Sequence, residues 1–541
     1  MGILAKVEDR PTPQNVYNWR VYFSSAVAAF AAVTIGYDSA FIGGTIALPS
    51  FRREFGLDKM AQTEVNFLSA NIVSTYQAGC FFGALMGYPI GQLYGRKKGL
   101  MFAGLIFVIG AAMMLGADSA RGLGLIYGGR VIAGLGIGCA SNLTPIYIAE
   151  LSPPAIRGRL VGLYELGWQI GGLVGFWINY GVNQGMPSDR TQWLVPFAVQ
   201  LIPGGLMAVG CFFIRESPRW LFSKGKREEA LQNLSWVRNL PIDHEYLIEE
   251  VAAMDRQHEE QLATVGDGFW APFKAVFGNP QLIKRLLLGG SLFIWQNGSG
   301  INAINYYSPT VFRSIGVVGT SAGLLTTGIF GVIKTVITLV WLLVLVDNAG
   351  RKMMLLIGSL GGGLCMYAVG AYIAIAKPAE NPTTKLSSGG IVAMFFFYLW
   401  TAFYTPSWNG TPWVINAEIF DQHVRTLTQA SCAANNWFWN FMISRFTPQM
   451  FAAMGYGVYL LFASLMLLSM PYVYFLVPET KGVPLEDMDR LFGKDVKPWN
   501  AHAIVMAEVR ARNGMDGGDI ETGRFDSGDE DVKGDVRVEN K

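Results

Sequence analysis

Asp38 lies within Gly36-Tyr37-Asp38-Ser39, inside a long apolar run, and Arg130 opens another in Gly129-Arg130-Val-Ile-Ala-Gly134. An ionised carboxylate at the centre of a bilayer costs about 2.5–3.5 kcal/mol on insertion scales, so it needs a partner or a water-filled cavity. At a rise of 1.5 Å per residue, Asp38 falls roughly 25 Å from the start of its run, and Arg130 roughly 30 Å from Glu150 at the far end of its own. The two therefore reach similar depth. Protonation of Asp38 would break such a pair and make it a proton switch; a static structural ion pair is the plainer alternative. Glu165 is the odd residue of a third run, Tyr164-Glu165-Leu-Gly-Trp168-Gln169, with Gln169 one helical turn on and on the same face. Protonated, Glu165 donates to a substrate oxygen; ionised, it pairs with Lys334 or Arg445, each inside a later apolar run. Those two cations are the candidate counter-charges for an anionic substrate, against the blander reading of snorkelling or local pairing.

The stretch Gln296-Asn297-Gly-Ser-Gly300-Ile-Asn302-Ala-Ile-Asn305-Tyr306-Tyr307 crowds amides around two glycines. Gln296, Asn302 and Tyr306 share no single face of an ideal helix, so a break at Gly298–Gly300 is expected to bring them to one cavity. Carboxamides suit a polyhydroxyl ligand because each offers both a donor and an acceptor. Trp408 and Trp413 in one later run, and Asn435, Asn436, Trp437 and Asn440 in the next, set aromatic faces beside amides. That combination holds a ring of C–H and O–H groups, although aromatic residues alone more often pack against lipid or neighbouring helices. The candidate substrate ligands are Glu165, Gln169, Gln296, Asn297, Asn302, Tyr306, Trp408 and Asn436.

One charged phrase is written twice. Pro145-Ile-Tyr147-Ile-Ala-Glu150 leads to Arg157, and Pro412-Trp413-Val-Ile-Asn-Ala-Glu418 leads to Arg425. Gly95-Arg96-Lys97 is likewise echoed by Gly350-Arg351-Lys352, and Glu216-Ser-Pro218-Arg219 by Glu479-Thr-Lys481, in the same order and at nearly one spacing. Duplicated halves, each with a charged latch where its helices leave the bilayer, account for this. The expected gate is Arg96, Glu150, Arg157 and Glu216 with Arg351, Glu418, Arg425 and Glu479. Gly134 and Gly138 form a GxxxG; no strand precedes it, so helix packing is the reading and dinucleotide binding is not.

The elements that must position these residues follow from composition. Hydrophobic residues make up 51% of the chain and charged residues 15%, against roughly a quarter charged in soluble domains. The 64 glycines suit close helix approach in lipid. About twelve apolar runs are long enough to span a bilayer, six between 22 and 214 and six between 286 and 477. The expected fold is an all-α membrane protein of two six-helix bundles, 21–214 and 286–478. Around them stand an N-terminal segment (1–20), a central loop with short helices (215–285) and a tail (479–541). The last 28 residues, acidic and rich in Gly and Ser, read as disordered. Arg96-Lys97-Lys98, Arg157, Arg159, the central loop and Arg351-Lys352 share one side, which the positive-inside rule makes cytoplasmic, together with both termini. Five cysteines scattered in apolar runs give neither a disulfide framework nor a zinc spacing, and four histidines in polar stretches give no metal cluster. No nucleophile–base pair marks an enzyme, and nothing points to nucleic acid or to a cofactor. Sequons at Asn142, Asn233, Asn297 and Asn409 lie in spans or the cytoplasmic loop and are discounted.

Together these motifs resemble the sugar porter family of the major facilitator superfamily, over roughly residues 15–492. Within it, the chain is similar to the fungal quinate permeases in Val16-Tyr-Asn-Trp19-Arg20, Tyr164-Glu-Leu-Gly-Trp-Gln-Ile-Gly-Gly172, Trp295-Gln-Asn-Gly-Ser-Gly300 and Phe403-Tyr-Thr-Pro-Ser-Trp408-Asn-Gly-Thr-Pro412. The resemblance implies proton-coupled uptake of quinate, a polyhydroxylated cyclohexane carboxylate, at the plasma membrane by alternating access. Glu165 stands where sugar carriers usually place a substrate-binding Gln, Asn297 replaces the second Gln of a usual pair, and Asn409-Gly410 replaces the usual Gly-Pro. Gln92 and Leu93 stand where Asp and Arg are common, so the first latch is expected to be weaker than the Asp347-containing second. A hexose or pentose symporter is the nearest alternative; a non-transporting nutrient sensor on the same fold is another, disfavoured by the short tail.

Overall fold

A computed structural model describes residues 12–153, 156–266, 268–381, 386–420, 422–483, 485–493 and 496–512, and among these every regular element is helical. The acidic stretch from 514 onward lies outside the described residues. The first six spans are α1 (Trp19–Ala47), α2 (Gln62–Leu93), α3 (Arg96–Leu115), α4 (Gly124–Leu151), α5 (Arg157–Gly185) and α6 (Arg190–Gly210). Two polar helices follow, α7 (Arg227–Arg238) and α8 (Glu245–Thr264). The second six are the broken pair α9 (Pro280–Gly298) and α10 (Ile301–Ile315), then α11 (Thr320–Leu345), α12 (Arg351–Ala376), α13 (Ser388–Glu418), α14 (Gln422–Met454) and α15 (Gly457–Leu476). A last helix, α16 (Ala501–Arg512), lies in the segment read as tail.

Eight of the twelve spans are long and apolar enough to cross a membrane by hydropathy alone. The other four are α2, α5, the α9–α10 pair and α14. Their lower apolarity has a spatial reason: α2 packs against α14, α5 against α11 and α1 against α10, so these helices face the opposite half rather than lipid. Within the first half, α4 is clasped by α2 and α3. A Cβ on Gly134 would lie 2.3 Å from the Tyr76 carbonyl oxygen, and one on Gly138 would lie 2.1 Å from that of Cys80. The GxxxG is thus a packing device, since only glycine lets the two backbones approach so closely.

Three departures from regular helix matter for the site. Gly300, at φ +86° and ψ 4°, separates α9 from α10, where the amide-rich sequence is expected to break. π-helical turns interrupt α11 at Trp341–Leu345 and α13 at Thr405–Asn409. Such turns shift the hydrogen-bond register and leave carbonyls to be satisfied by other groups.

The N-terminal segment, α7–α8 and the tail helices gather on one face. Asn18 Nδ2 donates to the Val237 carbonyl (2.8 Å) and Arg20 Nη1 to that of Trp236 (2.9 Å). Arg238 reaches Glu250 at 2.6 Å and donates to the Leu151 carbonyl at the foot of α4. Arg285 pairs with Asp489 at 2.6 Å, and Arg490 with Glu508 of α16 at 2.9 Å, so residues 485–512 are docked under the second half.

Candidate functional site

Asp38 and Arg130 meet as their depths require. Arg130 Nη1 lies 3.3 Å from Asp38 Oδ1 and Nη2 lies 3.5 Å from Oδ2, with both side chains wholly buried. The guanidinium also stands 5.0 Å from the Tyr76 ring centroid. Arg130 Nε has no hydrogen-bond partner among the described residues. The pair belongs entirely to the first half, which lets a change of charge at Asp38 act there without a second-half partner.

Glu165 spans the halves. Its Oε1 accepts from Gln169 Nε2 at 2.8 Å, on its own helix, and from Asn409 Nδ2 of α13 in the other half. The charge of Lys334, on α11, also acts on it. Lys334 and Gln169 line one small cavity with Ser39 and Asn305, of about 10 Å³, space for roughly one water. That cavity is too small for a ring-sized ligand, which would need the surrounding helices to part.

The amides of α9–α10 converge across the Gly300 break. Asn302 Nδ2 donates to Asn297 Oδ1 (2.5 Å), and Asn297 Nδ2 donates to Asn436 Oδ1 of α14 (3.2 Å). Gln296 sits beside them, but its Nε2 donates to the Trp408 and Asn409 carbonyls, both at 2.8 Å. It thereby satisfies carbonyls at the π-helical turn and leaves Oε1 as its remaining polar atom. Trp408 is 1% exposed and its Nε1 donates to Ser359 Oγ (2.8 Å), which turns the indole N–H into the second half. Tyr306 lies where α10 meets α1: its hydroxyl is 3.5 Å from Ser39 Oγ, and a Cβ on Gly43 would come within 2.0 Å of its carbonyl oxygen. Arg445 is not brought to Glu165. Its guanidinium stands 4.9 Å from the Phe67 ring at the start of α2.

Two further groups stand at the site, one marked in the sequence for another reason and one named there beside the amides. Asn409, marked in the sequence only as a departure from a Gly-Pro, is the hinge-side partner of Glu165. Trp437 stacks on Trp168 across the halves, with centroids 6.3 Å apart and planes at 13°, and its Nε1 donates to Ser141 Oγ. An aromatic beside an amide run was legible there; which face it presents was not.

On the face where α7 and α8 lie, the repeated charged residues of each half come together. Glu216 accepts from the Arg96 and Lys97 backbone N–H groups, and Glu479 from those of Arg351 and Lys352, so each carboxylate caps a helix start. Burial pushes the Glu216 carboxyl up, against the pull of the Lys97, Ser217 and Arg96 N–H groups. The partner of Glu150 is Arg96 (2.9 Å) and that of Glu418 is Arg351 (2.9 Å). Arg157 and Arg425, seven positions after each glutamate, take other places. Arg425 donates to the Phe420 carbonyl, and Arg157 shares a cavity wall with it and Arg219. The first latch is the more fully bonded: Arg96 reaches both oxygens of Glu150 through Nε, and Nη1 donates to the Gly91 carbonyl at 2.7 Å. The expectation of a weaker first copy turns on Asp347, whose side chain lies outside what is described.

The five cysteines are free and buried. Comparison with known proteins gives a consistent picture. Residues 24–492 match the family "Sugar (and other) transporter". A probable quinate permease of Neosartorya fischeri is 62% identical over 535 residues, covering 98% of each chain. One of Aspergillus terreus is 63% identical over 512 residues, covering 94% of each. Among solved structures, the proton:xylose symporter XylE with 6-bromo-6-deoxy-D-glucose bound has a TM-score of 0.71 at 28% identity, covering 88% of this chain and 99% of that one. The chain belongs to the sugar porter family of the major facilitator superfamily and is a membrane transporter.

Proposed function

We propose that this protein imports quinate together with a proton by alternating access across the plasma membrane, with both termini in the cytoplasm. The observation that carries the reading is Glu165: a carboxylate held between Gln169 of one half and Asn409 of the other, with the charge of Lys334 acting on it. Of these charges, the buried Lys334 ammonium is the one that an acid substrate uses and a neutral sugar does not. The near-full-length similarity to proteins named probable quinate permeases supports the same substrate.

In this reading substrate and proton enter from outside. Asp38 takes the proton and frees Arg130; a carboxylic acid no longer balances the guanidinium, so the pair loosens and α1 and α4 shift. Glu165, Gln169, Gln296 through Oε1, Asn297, Asn302 and Asn436 hold the hydroxyl-bearing ring, with Tyr306 closing the site from above and Trp408 supporting the α13 turn. The halves then rock, the Arg96–Glu150 and Arg351–Glu418 latches part, and Arg157 and Arg425 move with them. One proton carried with one monoanion is electroneutral.

Uptake in a transport-null cell tests this. Labelled quinate should accumulate, unlabelled quinate should compete and glucose should not, and uptake should fall as external pH rises. Glucose uptake that quinate fails to inhibit would favour the second reading, a pentose or hexose symporter, for which the fold similarity to a xylose symporter speaks. Acceleration by an inside-negative potential alone would count against the one-to-one stoichiometry.

A further inference from the structure

Five cations are buried among the described residues: Arg96, Arg130, Arg238, Arg285 and Lys334. The four arginines each meet a carboxylate, on Glu150, Asp38, Glu250 and Asp489 respectively. Lys334 makes no ion pair among the described residues, and the carboxylate whose charge acts on it is Glu165. Lys334 is the fifteenth residue of α11, roughly 20 Å from its start at 1.5 Å per residue, and eleven residues short of its end. From there its side chain does not reach an interface by snorkelling. An ammonium in that position without a hydrogen-bonded anion is costly, which marks it as functional rather than structural.

Its surroundings say what it is for. Lys334 lies on the wall of the cavity between the halves, with Ser39 and Gln169 from the first half and Asn305 from the second. Those are hydroxyl and amide partners for a ring that carries both hydroxyls and a carboxylate. Glu165 is held by two amide donors, Gln169 and Asn409, and makes no ion pair with Lys334 among the described residues.

We propose that Lys334 seats the substrate's carboxylate, and that the ligand replaces Glu165 as the anion facing it. This rests on the reading that a polyhydroxy acid is carried. Before binding, Glu165 is the weakly engaged counter-charge of Lys334. When the ligand arrives, its carboxylate takes direct contact with Lys334 Nζ. The like charge of Glu165 is then unfavourable, and its bond to Asn409, the tie between the halves at this level, is released. Lys334 thus decides acid over neutral sugar, and its engagement is felt at the hinge of α13.

The test is competition for uptake between quinate and its neutral analogue, in which the carboxylate is reduced to hydroxymethyl. Wild type should prefer the acid by about tenfold or more, the scale on which a buried charge contact counts. Lys334→Gln should bring that ratio near one while uptake of the neutral analogue persists, and Lys334→Arg should keep the preference. A Lys334→Gln protein that retains the acid preference overturns the proposal. If Lys334→Gln carries nothing, Glu165→Gln decides: removing the resident anion should raise the acid preference further, and an unchanged ratio overturns the exchange. Wild type that is not inhibited by quinate at all instead overturns the functional reading, which keeps the two failures apart.

Discussion

Gly95 and Gly350 hold matching places, each one residue before the arginine that its half sends to a glutamate, yet their backbones differ. Gly95 has φ +98° and ψ 173°, a conformation essentially reserved for glycine, while Gly350 has φ −67° and ψ 140°, open to any residue. At both, a Cβ would run into the capping carboxylate, 2.3 Å from Glu216 Oε2 and 2.5 Å from Glu479 Oε2. One glycine is needed for its backbone and for space, the other for space alone. The arginines diverge likewise. Arg96 engages both oxygens of Glu150 and a backbone carbonyl. Arg351 meets Glu418 through Nη2 alone, and Glu418 takes a second bond from Thr480 Oγ1. Duplication preserves the residues of a latch more faithfully than the bonds between them.

The asymmetry reaches into the membrane. The first half carries a self-contained ion pair, Asp38–Arg130, whereas Lys334, one of two cations buried in the second half, makes no ion pair among the described residues and feels a carboxylate from across the cleft. The largest effect should come from separating those roles. Asp38→Asn is expected to abolish concentrative uptake while leaving exchange of labelled for unlabelled substrate, measured in preloaded vesicles; accumulation that survives the change would show that the proton is taken elsewhere. Next come the latches. Glu150→Gln removes a charge from a bidentate contact and should favour the inward-open state more than Glu418→Gln does. A charged hydrogen bond is worth about 1.5–3 kcal/mol, so the first variant should raise inner-gate accessibility by tenfold or more and the second by less. Equal labelling of a cytoplasmic reporter cysteine in the two variants would erase the difference between halves.

A smaller contrast is set by the glycines. Gly95→Ala should lower thermal stability in detergent beyond Gly350→Ala by about 1–3 kcal/mol, the strain of that backbone conformation. The smallest effect belongs to Arg490→Ala. Its pair with Glu508 is 40% and 47% exposed, and such surface pairs contribute about 0–1 kcal/mol. A large loss there would mean that α16 matters more to the second half than its contacts suggest.

Much of this was written in the sequence because it depends on one helix at a time. The depth match of Asp38 and Arg130 needs only the helical rise, the break at Gly300 needs only glycines among amides, and the Gly134–Gly138 seam needs only spacing. The rest depends on where separate helices dock. Glu150 lies seven residues from Arg157 in sequence, but the start of α3 places Arg96 against it. Gln296 reads as a ligand until the turn at Thr405–Asn409 presents two carbonyls to its amide. Trp408 reads as a wall of the site until Ser359 takes its N–H. Arg445 reads as a counter-charge until α14 carries it to Phe67. In each case a polar side chain found a nearer acceptor or ring that only tertiary packing supplies.

The four least apolar spans also impose an order on how the chain enters its membrane. α2, α5, the α9–α10 pair and α14 lack the apolarity that lets a helix partition on its own. α2 packs on α4 within its own half, but its face towards the second half is covered by α14, which is synthesised almost last. Until then the polar face of α2, with Gln77 wholly buried in the finished fold, must wait against lipid or translocation machinery. The first half is therefore not a finished product when its last residue is made, and chains cut short of α14 present the quality-control apparatus with an unpaired polar seam.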